Sequence, residues 1–376
     1  MPEAADEAER AREAVGKARK VVIKVGSHAL SSEREIYDRL ANGVAEAQGS
    51  KRSVVMVSSG AIALGIQKLG LGGRPKEMAL LQAAAAAGQS VLMRLYEEAF
   101  ARRDLAVAQV LLTHADLADR TRANNAREAL AALLEAKVVP IINENDTVAV
   151  DEIRFGDNDL LASMVTPLVG ADLLILLSDV PGLLDAKGER VRLIRNVTRE
   201  ARPLVTGTTS TSGTGGMASK VEAARRAMLA GASVVVADAR DAGTVSAILS
   251  GADVGTLFLP HPQRIQARKH WIAFTLRPRG AILLDQGAVT AVVEHGRSVL
   301  PVGVLGVRGA FGPGDAVTLV GPDGREIGRG LARLGASDAA AIAGKKSEDL
   351  AALRGDDDVV VVHRDDLVLA YDEGAV

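Results

Sequence analysis

One lysine of the sequence lies where its ammonium group could contact a phosphate. Lys24 belongs to the apolar run Val21–Val25, and Gly26 and Ser27 follow it. A lysine in a buried strand is costly unless its ammonium group reaches the strand end and contacts an anion. Backbone N–H groups at a following helix start favour the same anion. The alternative, which stays open, is that Lys24 extends to solvent.

A second lysine, Lys220, closes the glycine-rich run SGTGGMASK of residues 212–220. Repeated glycines let backbone amides approach a phosphate closely, and the helix N-terminus adds a favourable dipole. The run is not a Walker A loop, because Val221 stands where that motif needs Ser or Thr. It is not a dinucleotide fingerprint either, since no G-x-G-x-x-G follows the first strand. A flexible linker remains the alternative.

An acidic turn spans residues 143–159, directly after the apolar run Val138–Ile142. It contains six acidic side chains and three Asn in seventeen positions. These groups could coordinate Mg²⁺, or they could bind the ammonium of an amino acid while the Asn amides hold its carboxylates. A solvated acidic loop with Asp and Asn caps is the structural alternative.

Two shorter turns carry small polar residues after apolar runs. Ser59 and Gly60 follow the run Ser53–Val57, where they suit an anion, although Ser commonly only caps a helix. Ser178 and Asp179 follow the run Leu173–Leu177, and Asp179 could face a nucleotide or serve as a structural turn residue.

Together, two lysines, amide-rich turns and clustered carboxylates indicate phosphoryl transfer, which mainly requires positioning and charge neutralisation. If the acceptor is a carboxylate, two anions must meet, and each pair of unit charges at 4 Å repels by roughly 1 kcal/mol even in bulk water. Two ammonium groups and Mg²⁺ would relieve this repulsion. No general base is needed, because a carboxylate is already deprotonated near neutral pH.

The elements that must position these residues alternate between apolar strands and Ala- and Leu-rich helices up to about residue 260. This alternation predicts an α/β fold, a three-layer αβα sandwich around a mainly parallel sheet, with ligands at the carboxyl ends of the strands. The predicted strands are Val21–Val25, Ser53–Val57, Val107–Leu112, Val138–Ile142, Leu173–Leu177, Ser233–Ala237 and Thr256–Leu259. The predicted helices include Lys76–Arg102, Thr121–Ala136, Asn158–Val169 and Lys220–Ala230.

Beyond residue 260 the pattern changes to short strands separated by Gly turns, which predicts a small β-rich domain. Its predicted strands are Ala281–Leu284, Ser298–Val302, Ala316–Val320, Glu326–Arg333 and Val359–His363. The expected organisation is a tail over 1–19 that forms a frayed helix or is disordered, a first domain over 20–262, a linker over 263–279 and the β-rich domain over 280–376.

Composition limits the partners. With 45 basic and 47 acidic residues the net charge is −2, which gives no long-range attraction to nucleic acid or an anionic membrane. We expect no signal peptide and no membrane-spanning helix. The absence of cysteine fits a cytoplasmic protein.

The motifs, taken in order, resemble those of the glutamate 5-kinase family, within the amino acid kinase superfamily. The resemblance rests on Val22–Ser27, Val57–Ile62, Ile142–Asp146, Gly156–Asp159 and Gly213–Met217. The C-terminal region resembles a PUA domain in Asp285–Ala288, Leu300–Gly303 and Phe311–Asp315.

The resemblance implies roles for individual residues. Lys24 and Lys220 would stabilise the transferring phosphoryl group, and Asp157 would orient them. Residues that would hold glutamate are Ser59, Gly60, Asp146 and Asn158. Residues that would contact ATP are Lys24, Ser178, Asp179, Thr214, Gly215, Gly216, Met217, Ala218, Ser219 and Lys220. Mg²⁺ would be bound largely through the nucleotide, and no metal ligand is assigned.

The resemblance further implies γ-glutamyl phosphate as product, entry into proline synthesis, feedback inhibition by proline, and a homo-oligomer, dimer or tetramer. One alternative is another superfamily member acting on acetylglutamate, aspartate, uridylate or carbamate. The other is an RNA-binding PUA protein. From Arg277 onward there are 11 Lys/Arg and 15 Asp/Glu, a net charge of −4 that argues against RNA.

Overall fold

The structure is a computed structural model, and it describes residues 2–32, 34–149, 158–205, 216–262, 264–346 and 359–370. The chain folds into two compact units, Met1–Arg264 and Ile265–Val376.

The first unit is built on a sheet whose described part has eight strands. These are β1 (Lys20–Val25), β2 (Ser53–Ser58), β3 (Val107–Leu112), β4 (Val139–Glu144), β5 (Leu173–Ser178), β6 (Leu193–Ile194), β7 (Ser233–Asp238) and β8 (Thr256–Phe258). Their order is β3-β4-β2-β1-β5-β7-β8-β6. All neighbours pair in parallel except β7 and β8, which are antiparallel. The prediction of a mainly parallel sheet is confirmed.

Helices cover both faces of this sheet. They are α1 (Pro2–Gly16), α2 (Ser27–Ser32), α3 (Glu35–Gly49), α4 (Ala61–Lys68), α5 (Met78–Ala101), α6 (His114–Ala118), α7 (Arg120–Glu135), α8 (Asn158–Val169), α9 (Arg202–Val205), α10 (Met217–Leu229) and α11 (Thr244–Leu249), with a π-helical turn at Val197–Ala201. Alternate strand residues enter two separate cores, one with α3, α5 and α11 and the other with α7, α8 and α10. The predicted three-layer architecture is confirmed, and its strands read as continuous apolar runs because both faces are buried.

Two glycines set the distance between α4 and α5. A Cβ added at Gly65 would lie 1.7 Å from Ala84 O, and one added at Gly88 would lie 1.8 Å from Ala61 O. The two helices therefore cross with backbone against backbone, and no other residue type fits at the crossing without separating them.

The N-terminal residues form a docked helix where the sequence predicted a frayed helix or a disordered tail. Arg12 of α1 is buried, donates hydrogen bonds to the carbonyls of Arg192, Val254 and Gly255, and forms an ion pair with Asp253 at 3.3 Å. Burial lowers the pKa of the Arg12 guanidinium to about 10, although Asp253 opposes the shift. These partners lie some 180 residues or more along the chain, so sequence periodicity could not reveal them.

The second unit contains a five-stranded sheet of order β10-β9-β11-β12-β13 in the described residues. Its strands are β9 (Gly280–Leu284), β10 (Val304–Gly309), β11 (Ala316–Val320), β12 (Glu326–Ala332) and β13 (Val362–Leu369), and its helices are α12 (Ala267–Phe274), α13 (Gln286–Val293) and α14 (Ala336–Ile342). Only the β9–β11 pair is parallel among the strand pairs described. The β-rich character predicted for this region is confirmed.

Details of the second unit differ from the sequence prediction. The run Ser298–Val302 is not a strand: Val299 makes an isolated bridge, and Pro301–Gly303 form a 3₁₀ turn. Proline has no N–H to donate to a sheet, which disfavours a strand there. Part of the predicted linker is α12, whose His270 and Ile272 are buried and whose Ala273 carbonyl accepts from Arg329 of β12. No helix in the described ranges is long and apolar enough to cross a membrane.

Candidate active site

A single buried carboxylate joins the two lysines that the sequence singled out. Asp159 Oδ1 lies 2.6 Å from Lys24 Nζ, and Asp159 Oδ2 lies 3.0 Å from Lys220 Nζ. The Ser219 hydroxyl also lies 3.0 Å from Asp159 Oδ2. The Asp159 side chain is fully buried, and each lysine side chain is less than a tenth exposed. Two cations and one anion leave this cluster with a positive formal charge.

Three elements bring the cluster together at the carboxyl edge of the sheet. Lys24 is the penultimate residue of β1, Asp159 is the second residue of α8, and Lys220 lies in the first turn of α10. Lys24 and Val22 are two positions apart on β1 and therefore point to the same face of the sheet. Val22 belongs to the core that α8 and α10 form with the sheet, so Lys24 points toward these two helices. The ammonium of Lys24 is thus carried to the edge where ligands bind in such sheets.

The charge of Asp159 is maintained by its partners. Burial alone would raise the pKa of this carboxyl, but the two ammonium groups outweigh burial and hold the pKa below its usual value. Asp159 is therefore ionised at neutral pH and keeps both lysines in fixed positions.

Asn158, the neighbour of Asp159, organises a second cluster. Its Nδ2 donates to the Ser58 carbonyl at 2.5 Å and to Asn143 Oδ1 at 2.9 Å, and it lies 3.1 Å from the Ser59 hydroxyl. Asn143 Nδ2 in turn donates to Gln89 Oε1 at 2.9 Å. Adjacent residues at the start of α8 therefore support two neighbouring groups of polar side chains, one cationic and one rich in amides.

The turns after β1, β5 and β7 also meet at this edge. Ser178 Oγ donates to Asp179 Oδ1 at 3.1 Å, and His28 Nδ1 lies 3.7 Å from Asp179 Oδ2. Arg240, after β7, donates to the Asp179 carbonyl at 2.8 Å. Both His28 and Asp179 are largely exposed, so this side of the site is open to a ligand.

The remaining predicted residues fall into three groups. Gly60 is the N-cap residue of α4 and has a φ of 97°, a left-handed conformation that suits glycine. Gly216, Met217 and Ala218 form the start of α10, and Asp146 lines a cavity beside Gln89. Asp157, Thr214 and Gly215 lie outside the described residues.

The sequence analysis did not assign an individual role to three residues of this site, Asp159, Asn143 and Gln89. Asp159 stood in the predicted acidic turn, but the role of orienting the lysines was given to Asp157. Asn143 was noted only as part of a motif. Gln89 was not noted, although it is one of only two Gln in the mostly apolar first half of α5, the other being Gln82. That pattern was the available signal.

Comparison with known proteins assigns the family. The family model "Amino acid kinase family" matches residues 19–238, and the PUA domain model matches residues 280–354. The chain belongs to the amino acid kinase family. The matched amino acid kinase region includes Lys24, Asn158, Asp159 and Lys220, and the C-terminal unit carries the PUA domain.

Curated relatives in this family match nearly the whole chain. A protein of Myxococcus xanthus named glutamate 5-kinase is 48% identical and covers 95% of this chain and 98% of its own. One of Trichlorobacter lovleyi with the same name is 47% identical and covers 93% and 96%. Among solved structures, the Giardia carbamate kinase is 18% identical, has a TM-score of 0.47 and covers 64% of this chain and 98% of its own.

Proposed function

We propose that this chain is a glutamate 5-kinase, which transfers the terminal phosphoryl group of ATP to the side-chain carboxylate of L-glutamate. The observation that carries the proposal is the buried Lys24–Asp159–Lys220 cluster. The names of the relatives, at 42–48% identity over most of the chain, select glutamate among possible acceptors.

The reaction joins two anions, and the lysines offset their repulsion. A γ-carboxylate oxygen of glutamate forms a bond to the γ-phosphorus of ATP, and the bond from that phosphorus to the bridging oxygen of ADP breaks. The products are γ-glutamyl phosphate and ADP. No proton has to move, because the attacking carboxylate is already ionised. Lys24 and Lys220 would face the charge that spreads over the phosphoryl oxygens in the transition state.

Asp159 acts in this proposal as a positioning residue. It binds both ammonium groups before the substrates arrive, so the lysines need no reorganisation during the reaction. A net positive charge remains on the cluster to attract the phosphates. The role proposed for Asp157 stays a prediction, since that residue lies outside the described ranges.

ATP and glutamate would approach from different sides of the lysines. The start of α10 with Gly216 as its N-cap, and the turn at Ser178 and Asp179, supply amides and hydroxyls suited to phosphates. Asn158, Ser59 and Asp146 supply amide, hydroxyl and carboxylate groups suited to an amino acid. We assign ATP to the first set and glutamate to the second.

Further parts of the proposal rest on the family. Mg²⁺ would accompany ATP and neutralise charge on its phosphates. The resemblance also supports a cytoplasmic homo-oligomer. It further supports an enzyme that catalyses the first step of proline synthesis and is inhibited by proline.

A glutamate-dependent ATP assay that traps the acyl phosphate as its hydroxamate tests the proposal. We expect hydroxamate formation with glutamate, little with acetylglutamate or aspartate, and less when proline is added. ATP turnover with another acceptor and none with glutamate would assign the chain to a different branch of the family. The effect of proline is tested separately from the reaction itself.

A further inference from the structure

A cavity of about 310 Å³ lies beside the amide-rich cluster. The small residues Ala61, Ala85 and Ala86 of α4 and α5 form one side, and the turn after β4, residues 144–147, forms another. Gln89 lines this cavity as well and is about nine-tenths buried. The cavity therefore combines one wall of small apolar residues with several polar and charged side chains, a lining suited to a polar ligand such as an amino acid.

The orientation of the Gln89 amide follows from the backbone. The Glu144 N–H can only donate, and it donates to Asn143 Oδ1 at 2.9 Å. The Nδ2 of Asn143 must then face Gln89, and it donates to Gln89 Oε1 at 2.9 Å. The other end of the Gln89 amide is consequently Nε2, a donor.

This Nε2 atom is buried and has no hydrogen-bond partner within the described residues. A buried donor without an acceptor is destabilising, because it has lost its hydrogen bond to water and gained none in return. Such a group in a native structure calls for an acceptor, which an ordered water or a bound ligand supplies. Since Gln89 lines the cavity, a ligand bound there could supply that acceptor.

We propose that Gln89 is a specificity-determining residue whose Nε2 donates a hydrogen bond to the α-carboxylate of glutamate. The inference rests on the proposed function and adds one residue to it. A carboxylate is the strongest acceptor that an amino acid offers to a buried N–H. Asp146, which lines the same cavity, supplies the opposite sign for the neighbouring ammonium.

The order of the strands indicates which carboxylate of glutamate lies near Gln89. Asn143, which contacts Gln89, lies on β4, whereas Lys24 lies on β1, and β2 separates the two strands. Two strand spacings amount to about 10 Å. The γ-carboxylate must approach the lysines to be phosphorylated, so the opposite end of glutamate extends toward Gln89.

The test compares wild type with Gln89→Glu, which keeps an oxygen to accept from Asn143 but replaces the donor with an anionic oxygen. We expect the glutamate KM to rise at least about tenfold and the ATP KM to stay within about twofold. Inhibition by 4-aminobutyrate, which has the γ-carboxylate and ammonium but no α-carboxylate, should not weaken. Gln67→Glu is the matched control, because it places the same charge on an exposed residue of α4 that does not line this cavity, and it should leave the glutamate KM unchanged.

The outcomes separate this inference from the proposed function. If wild type forms no hydroxamate from glutamate, the proposed function fails. If wild type is active and Gln89→Glu keeps its glutamate KM, or if 4-aminobutyrate binding weakens equally, the assignment of Gln89 is overturned. Should Gln89→Glu not fold, Gln89→Met carries the test under the same criteria, since it removes the donor without adding charge.

Discussion

Lys24 Nζ and Lys220 Nζ contact opposite oxygens of one carboxylate, at 2.6 and 3.0 Å from Asp159. One residue comes from a β-strand near the start of the chain and the other from a helix beyond its midpoint. The carboxylate thereby holds at a short distance two ammonium groups that would otherwise repel each other.

Replacing either lysine by Met should lower kcat by about 10²–10³ fold, the usual cost of losing one group that stabilises transition-state charge. Circular dichroism should show a folded protein in each case. Lys20→Met is the control: Lys20 belongs to the same strand as Lys24 but lies at its opposite end, where its ammonium donates to the Val169 carbonyl. Near wild-type turnover of Lys24→Met or Lys220→Met would remove that lysine from the proposed site.

Asp159→Asn should lower the free energy of unfolding by about 3–5 kcal/mol, because two buried ammonium groups lose their counter-ion. The pKa of Asp159 is depressed in the folded protein, so its ionic contribution is complete above the unfolded value and is lost only as pH falls toward the folded one. Urea unfolding at several pH values between about 5 and 8 should therefore give the same difference from wild type. A difference that vanishes within this range would contradict an ionised Asp159.

Asn158→Ala should raise the glutamate KM by about tenfold and change the ATP KM little, since it removes a donor shared among Ser58, Ser59 and Asn143. Initial-rate kinetics with each substrate varied in turn give both constants. Asn125→Ala, an exposed Asn on α7, controls for the loss of an amide elsewhere. Equal changes in both constants would argue against placing Asn158 on the glutamate side.

Arg12→Met should lower the free energy of unfolding by about 3 kcal/mol, because three backbone carbonyls lose a charged, buried donor. Activity under native conditions should be unchanged, since Arg12 contacts none of the proposed site residues. Thermal unfolding of this variant is best compared with Glu13→Met, which alters an exposed position on the same helix. If both variants unfold alike, α1 is not held by Arg12.

Sequence patterns located seven of the eight described strands of the first unit to within one or two residues, because continuous apolar runs with helical crossovers have few other solutions. They missed β6 (Leu193–Ile194), whose two residues are too short a run to be recognised. They also placed Lys24, Lys220 and Asn158 at strand and helix ends. Patterns could not decide which acidic residue of the turn reaches the lysines, since that depends on how α8 is rotated against β1 and α10. The sequence marks Gln89 only as a polar residue in an apolar helix, and it could not pair this residue with Asn143, which lies 54 positions away.

Asn158 and Asp159 are consecutive residues at one helix terminus. A small shift or rotation of α8 would therefore move the amide donor and the lysine counter-ion as one body. A ligand that shifts α8 through one of these residues changes the affinity for a ligand that contacts the other, and this change in affinity is reciprocal. The binding of glutamate would then change the affinity for the nucleotide, and the binding of the nucleotide would change the affinity for glutamate, through α8 alone.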